Sequence, residues 1–409
     1  LAGDERFDIA VTLGRIVFVY ILFISLAALL SGVLNASGRF IAAAAAPVLL
    51  NIILIAALVA AESGMFSSSL VIASDGKGIY GTLLSFGVVL AGIAQLAFVW
   101  VAARRAGFDL RPKRPVWTPE LKRLAIIAAP AALAGGVVQV NLIVGRQVAS
   151  FFDGAIAWLS YADRMYQLPL GVVGIAIGIV LLPDLSRRLQ AEDTAGGQDA
   201  FSRATEMSLA LSVPAAVALM IIPTTLIGVL FERGAFGSQD TAATALATAV
   251  YGLGLPAFVM QKVLQPLYFA REDTKRPFYF AVVAMVVNAM LAIGLAPVIG
   301  FIAAAIATTV AGWSMFALLW WKSRSMGVAS ELDARAKKSI GRIVLASLVM
   351  GLGLWAVNQL IPPDMLTGAL QFAILALLVL FGMGLYAIAG VMLGAFRPSD
   401  LKAVLRRQR

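Results

Sequence analysis

Two apolar runs decide the fold class of this chain: FYFAVVAMVVNAMLAIGLAP at residues 278–297 and IGFIAAAIATTVAGWSMFALLWW at residues 299–321. Neither run contains Asp, Glu, Lys or Arg, and each is long enough for the roughly 20 residues that a helix needs to cross the hydrocarbon core of a bilayer. Lipid offers no partner to an unpaired backbone amide, so such a run must be helical. The two runs therefore predict a pair of transmembrane helices.

The composition of the whole chain agrees with that reading. The 409 residues are 61% hydrophobic and 13% charged, with a mean hydropathy of +0.91, whereas a soluble domain carries about 25% charged residues. Eleven apolar runs are long enough to span the bilayer and too long for the strands of a membrane barrel. They cover residues 12–35, 41–61, 78–103, 121–151, 154–183, 204–231, 242–270, 278–297, 299–321, 340–361 and 367–395. We predict an all-α polytopic membrane protein with eleven transmembrane helices.

The positions of the basic residues predict its orientation. Most of the 32 Lys and Arg residues lie in every second connection, for example in the segments 104–123, 322–342 and 397–409. Cytoplasmic connections of membrane proteins are enriched in Lys and Arg, so these connections and the C-terminus are predicted to be cytoplasmic and Leu1 to be outside. Because the same rule accounts for the net charge of +10, we infer no nucleic-acid partner.

The chain contains no Cys and no His. This excludes disulfides, zinc and iron–sulfur sites built on these residues, thiolate nucleophiles, imidazole proton relays and the usual hydrolytic triads. We predict no catalytic residue, no metal centre and no cofactor. A transporter needs none of these groups, so a non-enzymatic function is favoured.

Three basic residues remain inside the predicted spans: Arg146, Arg164 and Lys262. Arg164 and its neighbour Asp163 lie near the middle of the fifth span, where a charge costs about 2.5–3.5 kcal/mol and must face a bundle interior or a wet cavity. Gln167 is on the same helix face as Arg164, so a guanidinium fork and an amide could serve one ligand, and the fork suits phosphate oxygens. The alternative is an ion pair that holds helices together.

Arg146 and Lys262 lie closer to the ends of their spans. Long basic side chains near a helix end extend their charged heads to the membrane surface, and this explains Arg146 most simply; Lys262 fits a central cavity equally well. Asn288 and Thr308 form a candidate cation site, although no carboxylate occurs in their two spans. Hydrogen bonding between helices explains this pair more simply.

A weak internal repeat predicts the domain organisation. Arg39 precedes Asn51 by twelve residues, and Arg276 precedes Asn288 by the same interval. The repeat aligns spans one to three with spans seven to nine, as in transporters with repeated halves. It predicts half of an N-terminal lobe at residues 1–105, a complete six-helix lobe at 106–325, and two further helices with a basic tail at 326–409. On this reading three helices precede Leu1.

Several segments resemble the MurJ (MviN) family of lipid II flippases, in the same order along the chain. The segment Tyr161-Ala162-Asp163-Arg164 is similar to the start of the family's eighth helix, together with Pro169, Gly171, Val172, Gly174, Leu182, Pro183 and Ser186. Further similarity lies in Leu34-Asn35, Arg39-Phe40, Pro47–Asn51, Phe231–Phe236, Lys262–Leu264, Pro266, Arg271, Asp273, Lys275 and Pro277.

The resemblance implies a fourteen-helix protein of the MOP exporter superfamily, with two six-helix lobes around a cationic cavity and two C-terminal helices. It implies that the substrate is lipid II, an undecaprenyl-pyrophosphate-linked disaccharide–pentapeptide, moved from the inner to the outer leaflet of the bacterial inner membrane. Asp163 and Arg164 match an acid–arginine pair of the family's cavity, whereas Gln167 stands where many relatives carry Glu. The implied partners are lipid II, the lipid bilayer and, as further candidates, cell-wall synthesis proteins.

Three other functions compete with lipid II transport. One is a different transporter of the superfamily, such as a flippase for another polyprenyl-linked oligosaccharide or a drug/cation antiporter, which would need more intramembrane carboxylates. Another is a membrane-embedded glycosyl- or phospho-transferase, which would need clustered acids for Mg²⁺; the acids Asp184, Glu192, Asp193 and Asp199 are instead scattered along a polar connection. The third is a membrane partner protein that does not transport.

Overall fold

The computed structural model describes residues 5–63, 78–110, 118, 119, 121, 122, 136, 139, 142–191, 193–362, 368 and 370–395. All regular structure within these residues is helical, so the predicted all-α class is confirmed. The α-helices are α1 Glu5–Phe18, α2 Tyr20–Ala36, α3 Phe40–Glu62, α4 Gly78–Arg105, α5 142–149, α6 Ala155–Gln190, α7 Thr194–Ile221, α8 Pro223–Phe231, α9 Ser238–Phe269, α10 Lys275–Ile299, α11 Ile302–Ser323, α12 Ala334–Leu360 and α13 Leu370–Met392.

Within the described ranges, nine helical segments are long and apolar enough to cross a membrane. One of them, Phe7–Ala36, comprises α1 and α2, which only Val19 separates. Most of the predicted span at 121–151 lies outside the described residues, and α5 is its one continuous described part. The helical nature of the protein is therefore confirmed, and the number of eleven spans stays a prediction.

The predicted single span at 204–231 is wrong, because two helices occupy it. The helix α7 ends at Ile221, and α8 begins at Pro223. Proline lacks an N–H and is best accommodated in the first turn of a helix, so Pro223 favours a new helix start at this point. The helix α7 also begins earlier than predicted, where the Asp193 carboxylate accepts a hydrogen bond from the Gly196 amide at 2.8 Å.

The chain forms two compact units, residues 1–118 and 119–409. In the first unit, α4 packs against α1, α2 and α3. Its core includes Leu34, Val99 and Ala103. The helices α2 and α4 approach closely at Gly92, where an added Cβ would lie 2.6 Å from the ring of Tyr20. Only glycine fits there without a shift of that ring.

The helix α9 is the centre of the second unit. It contacts α6, α7, α8 and α11, and 61% of its membrane-crossing window is buried within the protein, against 17% for α10. The Tyr268 hydroxyl of α9 donates a hydrogen bond to the Leu319 carbonyl of α11 at 2.6 Å. In the same interface, the Phe258 ring lies against Gly254 and Gly312, and a Cβ added at either glycine would clash with ring carbons.

Hydrogen bonds and ion pairs attach the last two helices to the rest of this unit. The helix α12 packs on α7, and α13 packs on α12. The Asp333 amide donates to the Ser202 hydroxyl at 3.1 Å, and Arg335 pairs with Glu206 at 3.2 Å. The separation of residues 326–409 from the six-helix lobe at 106–325, and the boundary at 105, remain predictions about domain organisation.

Candidate functional site

The acid–arginine pair lies in the third turn of α6. This helix begins at Ala155, directly after Gly154, whose positive φ of 79° ends the preceding turn. The turn brings α5 and α6 together as neighbours, so that Arg146 of α5 and Asp163 of α6 line one cavity. The local sequence thus places two of the predicted intramembrane charges beside each other, although they belong to different predicted spans.

Donors of its own helix hold the Asp163 carboxylate. The Gln167 side-chain amide donates a hydrogen bond to it from one turn further along. The Tyr166 side chain forms a second hydrogen bond with Asp163, and the positive charges of Arg164 and Arg146 act on the same carboxylate. Burial of a charged carboxylate is costly unless such partners compensate it. Asp163 is therefore a compensated charge at the wall of the cavity.

Arg164 is arranged differently. Its side chain is exposed, and it forms no ion pair within the described part of the chain. The sequence suggested that Arg164 and Gln167 could bind one ligand together. In the structure, the amide nitrogen of Gln167 already donates a hydrogen bond to Asp163, which favours a structural role for Gln167. Arg164 thus keeps its five N–H donors for another group.

The Asp163 cavity has a volume of about 120 Å³, and Tyr166, Tyr251 and Thr308 also line it. The Tyr166 ring packs 5.1 Å from Tyr251 and 5.3 Å from Phe258, measured between ring centroids. Sequence reasoning missed both tyrosines. Tyr166 could have been found from its i+3 spacing to Asp163, whereas Tyr251 is on α9 and only the tertiary fold brings it here.

Asn288 and Thr308 come together as predicted. The Asn288 amide nitrogen donates to the Thr308 hydroxyl at 3.2 Å, and that hydroxyl donates to the Ala304 carbonyl at 2.9 Å. Asn288 is 1% exposed, and its Oδ1 has no hydrogen-bond partner among the described residues. Both residues line a second cavity of about 160 Å³ together with Gln261. No carboxylate is among its described lining residues.

Lys262 is not part of this cluster. Its side chain is exposed on α9 and lines neither of the two cavities, although its neighbour Gln261 lines the second. The Gln261 amide instead donates to the Gly312 carbonyl at 2.7 Å. The described residues also contain no group of three or more His, Cys, Asp or Glu that could hold a metal ion.

A bundle of apolar helices with a small cavity lined by charged side chains is typical of integral membrane transporters, and this is the class of protein that the fold and the site indicate. Residues 2–394 match the family model described as "Lipid II flippase MurJ", and the chain therefore belongs to this family. The resemblance found in the sequence motifs is confirmed.

Two relatives named "Probable lipid II flippase MurJ" are similar over nearly the whole chain. The protein from Rhizobium tropici is 39% identical over 99% of this chain and 75% of its own length. The one from Rhizobium meliloti (strain 1021) is 40% identical over 98% of this chain and 74% of its own length. A solved structure titled "Lipid II flippase MurJ, inward closed conformation" has the same fold, with a TM-score of 0.72, 24% identity and coverage of 91% of this chain and 72% of the other.

Proposed function

We propose that this chain moves lipid II across the bacterial inner membrane and that Arg164 binds the pyrophosphate of the substrate. Family membership supports the transport activity and the cargo, and it favours lipid II over the other polyprenyl-linked or drug substrates. The exposed guanidinium of Arg164 without an ion pair is the observation that supports the binding role. In this proposal the direct ligand of the pyrophosphate is Arg164. The neighbouring polar side chains, those of Asp163, Gln167 and Arg146, shape the environment of the site and do not bind the substrate directly.

The chemistry of the cargo explains why a cationic site is needed. A charge in the bilayer interior is expensive, and a protein site lowers that cost when it replaces water with charge-assisted hydrogen bonds. The planar guanidinium donates two parallel N–H bonds to phosphate oxygens, which are stronger than neutral hydrogen bonds. Alternating access around a site near the middle of the membrane would then carry the head group from one leaflet to the other.

Replacement of Arg164 in the intact protein tests this role. Arg164→Ala should abolish growth of a strain that depends on this protein while the variant still inserts in the membrane, and Arg164→Lys should restore activity only in part because it lacks the fork. Arg203→Ala is the matched control, since Arg203 pairs with Asp199 at 3.0 Å on an exposed surface, where such pairs contribute about 0–1 kcal/mol. Normal growth on Arg164→Ala would refute the assignment.

The proposal also covers the orientation of the chain, the position of Lys262 and the protein partners. The alternation of basic connections supports a cytoplasmic C-terminus. Lys262 is proposed to face the transport path because it is a solvent-accessible cation on the central helix α9. Cell-wall synthesis proteins are proposed as partners on the basis of the cargo alone.

The buried Asn288 Oδ1 without a partner supports a cation site as a second role of the α10–α11 pair. Hard cations bind oxygen ligands, and Asn288 and Thr308 offer two neutral ones. If a cation binds there, transport in reconstituted vesicles should depend on the sodium gradient, and Asn288→Ala should remove that dependence. Equal rates in sodium and in potassium would show that the pair only joins the two helices.

A further inference from the structure

A separate polar cavity lies at one end of the second unit, between α8, the start of α9, the end of α12 and the start of α13. Its volume is about 620 Å³, which lies in the range of about 300–1,000 Å³ that is typical of small-ligand sites. Among the described residues, its polar lining side chains are those of Thr224, Thr225, Glu232, Thr241, Asn358 and Gln371. The positive-inside rule puts this end of the bundle on the outer face.

Internal hydrogen bonds fix part of this lining and leave the rest available. Thr225 donates to the Asn358 side-chain oxygen at 2.7 Å, and Thr241 donates to one Glu232 oxygen at 2.7 Å. Among the described residues, no protein group hydrogen-bonds to the Asn358 amide nitrogen, the Gln371 amide or the other Glu232 oxygen. The cavity therefore presents amide donors, amide acceptors and one carboxylate to its interior.

The floor of the cavity is open at Gly228 of α8. A Cβ added there would lie 3.5 Å from a Glu232 oxygen and 3.7 Å from a Thr241 methyl carbon. These are ordinary contact distances, so a side chain at this position would narrow the cavity without straining the backbone.

The charge and the hydrogen-bonding groups of the lining indicate which class of ligand fits the cavity. No Lys or Arg is among the described lining residues, and one carboxylate is, so the cavity repels pyrophosphate. Amides and a carboxylate around a space of this size pair well with hydroxyl, amide and ammonium groups. Those are the groups of a glycopeptide.

The loop that carries Glu232 also touches the helix that carries Arg164. Tyr161 of α6 packs against Phe231 and Phe236, at centroid distances of 4.8 and 5.3 Å. These two phenylalanines flank Glu232 in the sequence, and Tyr161 precedes Arg164 by one helical turn. The cavity and the Arg164 segment are therefore structural neighbours within the second unit.

We propose that this cavity binds the sugar–peptide part of the cargo, separately from the pyrophosphate at Arg164. This inference rests on the proposed function, because it takes its ligand from the head group of lipid II. The cavity would hold the glycopeptide on the outer face after the head group has crossed.

Binding of a soluble probe tests the cavity without transport. The probe is the disaccharide–pentapeptide that lacks both pyrophosphate and lipid, titrated into the purified intact protein by calorimetry. Glu232→Gln, which preserves shape, should weaken binding about tenfold, the loss expected for a charge-assisted hydrogen bond. Gly228→Leu should weaken it further by filling the space, and Gly228→Ala serves if the leucine variant does not fold.

A matched control and a second assay separate the possible outcomes. Gln147→Leu changes a polar residue that lines a different, apolar groove of the same unit, and it should bind the probe as the unmodified protein does. Arg164→Ala should still bind the probe while it loses lipid II transport. Equal probe affinity in the unmodified protein, Glu232→Gln and both Gly228 variants would overturn the glycopeptide site. Normal transport by Arg164→Ala would instead overturn the proposed function of Arg164.

Discussion

The adjacent residues Asp163 and Arg164 have different environments and different roles. Asp163 is compensated by the hydrogen bonds of Gln167 and Tyr166 and by the charge of Arg146. Arg164, next to it in sequence, points along a different direction of the helix, because adjacent residues do not share a face. The carboxylate of Asp163 therefore interacts with groups of the protein, whereas the guanidinium of Arg164 is available to a ligand.

Removal of one Asp163 donor should destabilise the second unit. Tyr166→Phe deletes only a hydroxyl, and the carboxylate then loses a partner worth about 1–3 kcal/mol. We expect a lower thermal unfolding midpoint in detergent and a lower flipping rate. Tyr161→Phe on the same helix is the control, because its ring would keep its packing against Phe231 and Phe236 and its hydroxyl has no hydrogen bond among the described residues. Equal midpoints for the two variants would contradict this account of Asp163.

At the scale of elements, a proline inside α7 leaves a backbone carbonyl available for a contact with α13. Pro214 lies inside α7 and has no N–H to donate to the carbonyl four residues earlier, which is that of Ala210. The Tyr386 hydroxyl of α13 donates to this carbonyl at 2.8 Å. A gap in the hydrogen bonding of one helix is thus filled by a side chain of another.

Tyr386→Phe should loosen this docking. The partly buried Ala210 carbonyl would lose its donor, at a cost of about 1–3 kcal/mol. We expect faster amide exchange in α7 around Pro214 and a lower unfolding midpoint. Tyr279→Phe, at a ring that is 62% exposed, should change neither. If Tyr386→Phe exchanges like the unmodified protein, another group satisfies the carbonyl.

At the scale of the second unit, the central helix α9 is long enough to cross the whole membrane. Its 32 residues are about 48 Å long at 1.5 Å per residue, which exceeds the hydrocarbon thickness of about 30 Å. The connection after it is basic and structured: Arg271 donates to the Leu267 carbonyl at 2.8 Å and to the Met326 carbonyl at 3.1 Å. Burial lowers the pKa of Arg271, yet a guanidinium remains charged at physiological pH.

Single-cysteine labelling can test the orientation, because the chain has no native Cys. Ala235 and Thr274 are exposed residues in the connections before and after α9. We expect Ala235→Cys to react with an impermeant maleimide in intact spheroplasts and Thr274→Cys to react only after the membrane is broken. The reverse pattern would invert the topology, and labelling of both in intact spheroplasts would show that α9 does not cross.

The sequence by itself determined the all-α membrane class, most helix positions and the family. These follow from the length and composition of apolar runs, which the bilayer dictates through backbone hydrogen bonding and thickness. It also singled out Asp163, Arg164 and Arg146, because a charged side chain inside an apolar run is costly in the bilayer and is therefore a candidate for a functional role. It failed at residues 204–231, because the run stays mainly apolar across the break and only Pro223 marks the change of helix.

Only the tertiary structure decided which polar groups are neighbours. Tyr251 of α9 and Thr308 of α11 reach the Asp163 cavity, and Asn358 of α12 reaches Thr225 of α8, across sequence distances that no spacing rule relates. The physical reason is that transfer into lipid depends on each segment's own composition, whereas the partner of a buried polar group depends on how the segments pack.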